Sequence, residues 1–288
     1  MEASGPNTEQ ITYWNEVSGP KWVMLGDTIN GLIEGLGEAA LNAAAPTAGE
    51  AVVDVGCGCG QTSLALAGRV GPKGRVLGLD ISAPMLADAR RRADLADVVN
   101  LEFIQADAQT FGVEAGSADL LFSRFGVMFF QNPSAAFANL RRALRPDGRL
   151  SFICWQAMER NPWMLLPVRA ASAHIELPAP PEPGTPGPYA FADPTRVKEV
   201  LEAAGYADIS IEGFETEIDV MGERTPEQTA EFLMQMGPAA RMLAEASQDT
   251  RAAAAEAIGE ALAPHIRPDG IRLGAATWIV SAQTGAWG

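Results

Sequence analysis

The chain has 288 residues, 47% of them hydrophobic and 20% charged, enough to bury the core of one large domain with a modest addition. Its 21 Lys and Arg stand against 36 Asp and Glu, and a net charge of −15 repels nucleic-acid backbones and anionic lipid, so neither is an expected partner. Three cysteines (Cys57, Cys59, Cys154) and two histidines (His174, His265) supply neither a disulfide framework nor a zinc-ligand set, and no metal is expected.

The first ten residues carry no basic and apolar blocks of a signal peptide, and no run of about eighteen apolar residues follows; a reducing cytoplasm is expected. Ile29, Leu32, Ile33, Leu36 and Ala40 share one stripe, which predicts a helix over 27–44, ended by Pro46 and Gly49. Ala51 to Val55 reads as a buried parallel strand stopped by glycines, and Leu64 to Val70 resumes a helix. Arg75 to Leu79 is the second strand, followed by a helix opening at Ser82 and Pro84. Leu101 to Gln105 and Asp119 to Ser123 are the third and fourth strands. Ala136, Phe137, Leu140 and Leu144 mark a helix face, 145–148 a turn, and Leu150 to Trp155 the fifth strand. This alternation means βαβ units and a doubly wound parallel sheet.

After Trp155 the rhythm breaks. The stretch LPAPPEPGTPGP (177–188) suits neither helix nor strand interior and predicts a stiff surface loop. Asp193-Pro194 caps a helix stopped by Gly205, Ile209 to Phe214 is a sixth strand, 226–266 is helical, and Ala275 to Ala282 closes the chain as a β-branched run.

Chemistry concentrates at three strand ends. In AVVDVGCGCGQTSLALA, Asp54 ends the first strand and Gly56, Gly58 and Gly60 turn tightly into a helix, bringing backbone N–H groups near a ligand. A dinucleotide fingerprint needs G-x-G-x-x-G, but Gln61 follows Gly60, so the pattern is D-x-G-x-G-x-G. In GLDIS, Asp80 can accept both hydroxyls of a ribose, or merely cap a helix. In IQADAQTF, Asp107 can take an adenine amino group beside an exposed backbone N–H, or be a turn residue. Ser123 and Arg124 read as pocket residues or a plain strand end. Phe125 and Met128 lie in the run SRFGVMFF, which lines a cavity or fills the core. His174 is a candidate general base or a surface residue. Tyr13, Trp14 and Trp22 precede the first helix, where aromatics pack on a core or cover a ligand.

Taken together, these motifs and DLLFSRFGVMFFQNPSAAFANLRRALRPDGRLSFICW resemble the class I S-adenosylmethionine-dependent methyltransferases, nearest to the small-molecule group of the quinone-biosynthesis C-methyltransferases. The resemblance is close over 50–156 and loose over 193–215. It implies a Rossmann-like seven-stranded sheet of order 3-2-1-4-5-7-6, with strand seven antiparallel. It also implies a helical lid over 1–48 and a methyltransferase domain over 49–288, with cover insertions at 156–192 and 221–268. S-adenosylmethionine would be held by Asp54 and by Gly56, Gly58 and Gly60 at the methionine moiety. Asp80 and Ile81 would meet the ribose, Asp107 and Ala108 the adenine, Ser123 would stand near the methionine end, and Trp22 in the lid. The product would be S-adenosylhomocysteine. Tyr13, Trp14, Arg124, Phe125, Met128 and Trp163 are the candidates to line the acceptor pocket. Methionine-rich and aromatic runs at Trp163–Leu166 and Phe232–Met236 suit a small, largely apolar acceptor. Base-methylating and catechol-type enzymes carry other residues after strand four, which disfavours both a nucleic-acid substrate and a magnesium mechanism. A monomer or homodimer is expected. Two rivals stay open: an enzyme of the same fold that transfers no methyl, and a non-catalytic nucleoside-binding module.

Overall fold

A computed structural model describes residues 5–176, 182 and 184–285. The start of the chain is helical: α1 (Thr8–Thr12), a π turn (Tyr13–Val17) and α2 (Ser18–Met24) precede α3 (Gly26–Ala44). Helix α3 buries Ile29, Leu32, Ile33, Leu36 and Ala40, the stripe legible in the sequence, and ends where Ala45 enters the left-handed region just before Pro46. Then come β1 (Ala51–Val55), α4 (Gln61–Val70), β2 (Arg75–Asp80), α5 (Ala83–Leu95), β3 (Leu101–Gln105), β4 (Ala118–Arg124), α6 (Pro133–Arg141) and β5 (Leu144–Trp155). The remainder is α7 (Pro162–Ala171), α8 (Pro194–Ala203), β6 (Tyr206–Asp219), α9 (Pro226–Leu233), α10 (Gly237–Met242), α11 (Gln248–Leu262), the two-residue β7 (Ile266–Arg267) and β8 (Gly270–Thr284).

The sheet runs β3-β2-β1-β4-β5-β8-β6, with β7 paired to β8. The C-terminal strand enters between the fifth and sixth, as expected, and the short β7 adds an eighth strand to the seven anticipated. β1 pairs in parallel with β2 and β4, β2 with β3, and β4 with β5, while the β7–β8 hairpin is antiparallel. Every residue of β1 is buried, which explains its unbroken apolar run around Asp54. Helix α4 packs on β1 and β2, α5 on β3, and α3 on β4.

Three expectations need correcting. The 145–148 turn is a bulge within β5: the pairing of β4 with β5 shifts between Ala118 and Leu120, and a Cβ on Gly148 would meet the Arg145 carbonyl at 3.0 Å. Leu144 accordingly belongs to β5, not to the preceding helix. The helical stretch 226–266 breaks into three helices, because Gly237-Pro238 and Ser247 restart the chain. Of the proline-dense stretch, 177–181 and 183 lie outside the described residues; 184–188 is neither helix nor strand.

By internal contacts the chain divides into two units. The first comprises 1–154, 186–213 and 278–288 and holds the glycine turn and strand ends. The second comprises 155–185 and 214–277, where α7 packs on α9, α10 and α11. Its core is Trp163, Met164, Val168, Phe232, Leu233 and Ile258, so most of the apolar run expected to line a ligand cavity is interior packing of this unit. Among the described residues no helix is long and apolar enough to cross a membrane.

Candidate functional site

The site is built in the first unit, where β1, β2 and β3 end. After Val55 the chain turns through Gly56, Gly58 and Gly60, all at positive φ, and hangs on the end of β2: Gly56 N and Cys57 N donate to the Leu79 carbonyl at 2.8 and 3.1 Å. The first and third glycines have separate reasons. A Cβ on Gly56 would lie 2.7 Å from Gly126 Cα, because the β4 exit crosses here backbone to backbone. One on Gly60 would lie 2.9 Å from Ala89 Cβ and 3.0 Å from Phe103 Cζ, so Gly60 serves the packing of the turn against α5 and β3.

Asp54 is sealed. Its Oδ2 accepts from Thr62 Oγ1 at 2.8 Å and Ser63 Oγ at 2.6 Å, pinning the first turn of α4 to β1, and burial raises its carboxyl above the usual range. It shapes the turn rather than reaching outward. Asp80 is partly exposed: its Oδ2 accepts from Gly58 N and its Oδ1 from Ser82 N, both at 2.8 Å. Burial pushes its carboxyl up to about 6, against the pull of those two N–H groups. The Ile81 carbonyl beside it accepts from Asn15 Nδ2 and Gln105 Nε2. Asp107 is buried, and its Oδ1 accepts from Gln109 N at 2.9 Å and Asn7 Nδ2 at 2.8 Å, while Oδ2 is buried with no hydrogen-bond partner in the structure. Ala108, also buried, offers its carbonyl to Asn139.

The N-terminal segment closes on these strand ends. The Trp14 carbonyl accepts from Ser82 Oγ at 2.8 Å, and Asn15 Oδ1 accepts from Ala83 N at 2.9 Å. The Trp14 ring stands edge-on to Phe129, Tyr13 and Trp22, with centroids 5.1, 5.8 and 6.1 Å away. Asn7 and Asn15 are functional candidates that sequence reading missed. Each reaches partners 66 or more positions away, Asn15 Nδ2 donating also to the Ile11 carbonyl four residues before it, and neither lies in a motif.

Several expected pocket residues are placed otherwise. Ser123 is fully buried; its hydroxyl donates to the Val55 carbonyl at 2.7 Å and accepts from Gly126 N at 3.2 Å, so it ties β4 to β1 instead of standing at a mouth. Arg124 turns toward α3, donating to Asn30 Oδ1 at 2.9 Å, and burial holds its guanidinium below the usual arginine value although Asp54 opposes this. Phe125 is buried at φ +64, a left-handed conformation costly for an aromatic residue, at the point where β4 crosses Gly56. Met128 is core. Trp163 packs on Trp155 inside the second unit, and its buried Nε1 has no hydrogen-bond partner in the structure. His174 is exposed just beyond α7, and among the described residues its ring has no hydrogen bond. A groove of about 480 Å³, lined by Ala51, Arg75, Val99, Leu101 and Ser117 among others, opens at the starting ends of the same strands, remote from the turn.

Against known proteins, a family model described as a methyltransferase domain matches residues 52–148. The aklanonic acid methyltransferase of Streptomyces sp. strain C5 is 33% identical over 117 residues, 41% of this chain and 53% of that protein. The trans-aconitate 2-methyltransferase of Deinococcus radiodurans is 34% identical over 160 residues, 55% of this chain and 59% of that one. The chain spans between 29% and 61% of the length of these and other curated relatives it matches. Among solved structures, the YcgJ protein of Bacillus subtilis superposes with a TM-score of 0.58 at 15% identity, over 88% of this chain and all of that one, which shows a common fold.

Proposed function

We propose that this chain, whose residues 52–148 match a methyltransferase-domain model, is an S-adenosylmethionine-dependent methyltransferase acting on a small, largely apolar molecule. The observation that carries the reading is the arrangement at the strand ends. A glycine turn leads out of β1, Asp80 is hydrogen-bonded into that turn, and Asp107 presents a buried, unpartnered oxygen beyond β3. These residues fit the nucleoside. An orphan buried acceptor suits the amino group of adenine, and each Asp80 oxygen, already accepting one backbone N–H, has a lone pair left for a ribose hydroxyl. When bound, the sulfonium supplies an activated methyl group. The residues of the chain bind, orient and exclude water, and an in-line displacement at such a centre requires little more.

That the acceptor is a small molecule is supported by the substrates in its relatives' names, aklanonic acid and trans-aconitate among them, and that it is largely apolar rests on the chain's negative charge alone, since trans-aconitate is itself a tricarboxylate. The protein works without metal and as a monomer or homodimer. Isothermal calorimetry is the test. S-adenosylhomocysteine should bind and raise the melting temperature, and NAD should do neither. Binding of NAD in place of S-adenosylhomocysteine would overturn the reading.

A further inference from the structure

We propose that Asn7 is a positioning residue: it registers the N-terminal segment on Asp107 and so aims the free oxygen of that carboxylate at the bound base. The proposal rests on the nucleoside reading above. Asn7 stands at the N-cap of α1, a position where asparagine normally caps its own helix, yet its side chain makes no cap bond there. The amide instead reaches across to the end of β3. Its Nδ2 donates to Asp107 Oδ1 at 2.8 Å and to Gln109 Oε1 at 3.3 Å, and its Oδ1 accepts from Gln131 N at 2.8 Å. Gln109 Oε1 in turn accepts from Asn132 N at 3.0 Å. Asn7 is 4% exposed, so this is a buried network joining the chain start, the β3 exit and the β4 exit.

The network determines which Asp107 oxygen is left over. Oδ1 already takes two donors, Asn7 Nδ2 and Gln109 N, while Oδ2 stays buried and empty. A carboxylate with one oxygen clamped cannot rotate to share the load, so the other is held ready for a donor. Asn15 makes the second pin at the ribose end, bridging the Ile81 carbonyl and Ala83 N on either side of Ser82. Residues 7–15 therefore span the distance between the two nucleoside carboxylates, and the cover cannot lift without releasing Asp107.

The experiment pairs two readouts across Asn7→Ala and Asn7→Asp. Hydrogen exchange over residues 8–24 of the free protein reads docking. Asn7→Asp sets two carboxylates against each other and should speed exchange at least tenfold. Calorimetry with S-adenosylhomocysteine and S-inosylhomocysteine, which lacks the exocyclic amino group, reads aim. Asn7→Ala should weaken the adenosyl ligand about tenfold and the inosyl ligand little, so that the preference collapses. Exchange unchanged in Asn7→Asp, or equal weakening of both ligands in Asn7→Ala, would overturn the proposal. If the wild-type protein binds neither ligand, the nucleoside reading fails, and the exchange arm alone still decides whether Asn7 holds the segment.

Discussion

Asp80 is the residue whose titration reads out both folding and binding. Its carboxyl is pushed up to about 6, chiefly by burial, and the N–H groups of Ser82 and Gly58 pull the other way. The folded chain therefore holds this proton up to about pH 6, whereas the unfolded chain releases it near 4. Between those values the folded state binds more protons, so the free protein loses stability as pH rises through the window and gains none back above it. Asp54, sealed and likewise raised, acts in the same direction. Binding has the opposite sign: ribose hydroxyls donate to a carboxylate, and protonation removes an acceptor. Thermal melts and calorimetry from pH 5 to 8 should show melting temperature falling while S-adenosylhomocysteine affinity rises. Asp80→Ala should cost roughly 1.5–3 kcal/mol of that affinity and flatten its pH dependence, leaving the fold intact. Unchanged affinity in this variant would reduce Asp80 to a cap on the turn.

At the scale of elements, the β1-turn-α4 unit answers to packing as much as to a ligand. Gly60→Ala would place a methyl 2.9 Å from Ala89 Cβ in a residue at φ +82, on the side facing α5 and β3. The expected result is a loss of about 1–3 kcal/mol in urea denaturation, the scale of overpacking, even with no ligand present. Gly56→Ala meets backbone at 2.7 Å instead, and backbone cannot rotate away, so its cost should exceed that of Gly60→Ala. Equal stability of both variants and wild type would mean that the turn is free to relax. This unit was legible in the sequence because strand, turn and helix follow one another within twenty residues, each marked by its own residue types. Helices α9, α10 and α11 were less so: an Ala-, Met- and Glu-rich stretch looks continuous until Gly237-Pro238 and the Ser247 cap break it.

For the whole molecule, charge and donor chemistry set the expectations. A net charge of −15 should keep the protein from binding tRNA or heparin at physiological salt, which filter binding would check. Turnover on the true acceptor should persist in excess EDTA, since the β4 exit presents Ser123, Arg124 and Phe125 where a metal-dependent site would need carboxylates. Loss of activity with EDTA, restored by magnesium, would show that a metal is bound elsewhere.

What the sequence by itself determined is local and periodic: the helix stripe of α3, the buried run of β1, the glycine turn, and carboxylates at three successive strand ends. With the family resemblance, these also carried the strand order. The tertiary structure alone decided which of those groups face one another. Ser123 was expected at a mouth but is sealed between Val55 and Gly126, because its hydroxyl must satisfy buried backbone. The apolar residues after β5 and in α9 fill the core of a second unit. Asn7 and Asp107 meet across 100 positions of chain. Such a contact leaves no period and no spacing in the sequence. It arises only when three separate loops are brought together and their buried polar groups must find partners among one another.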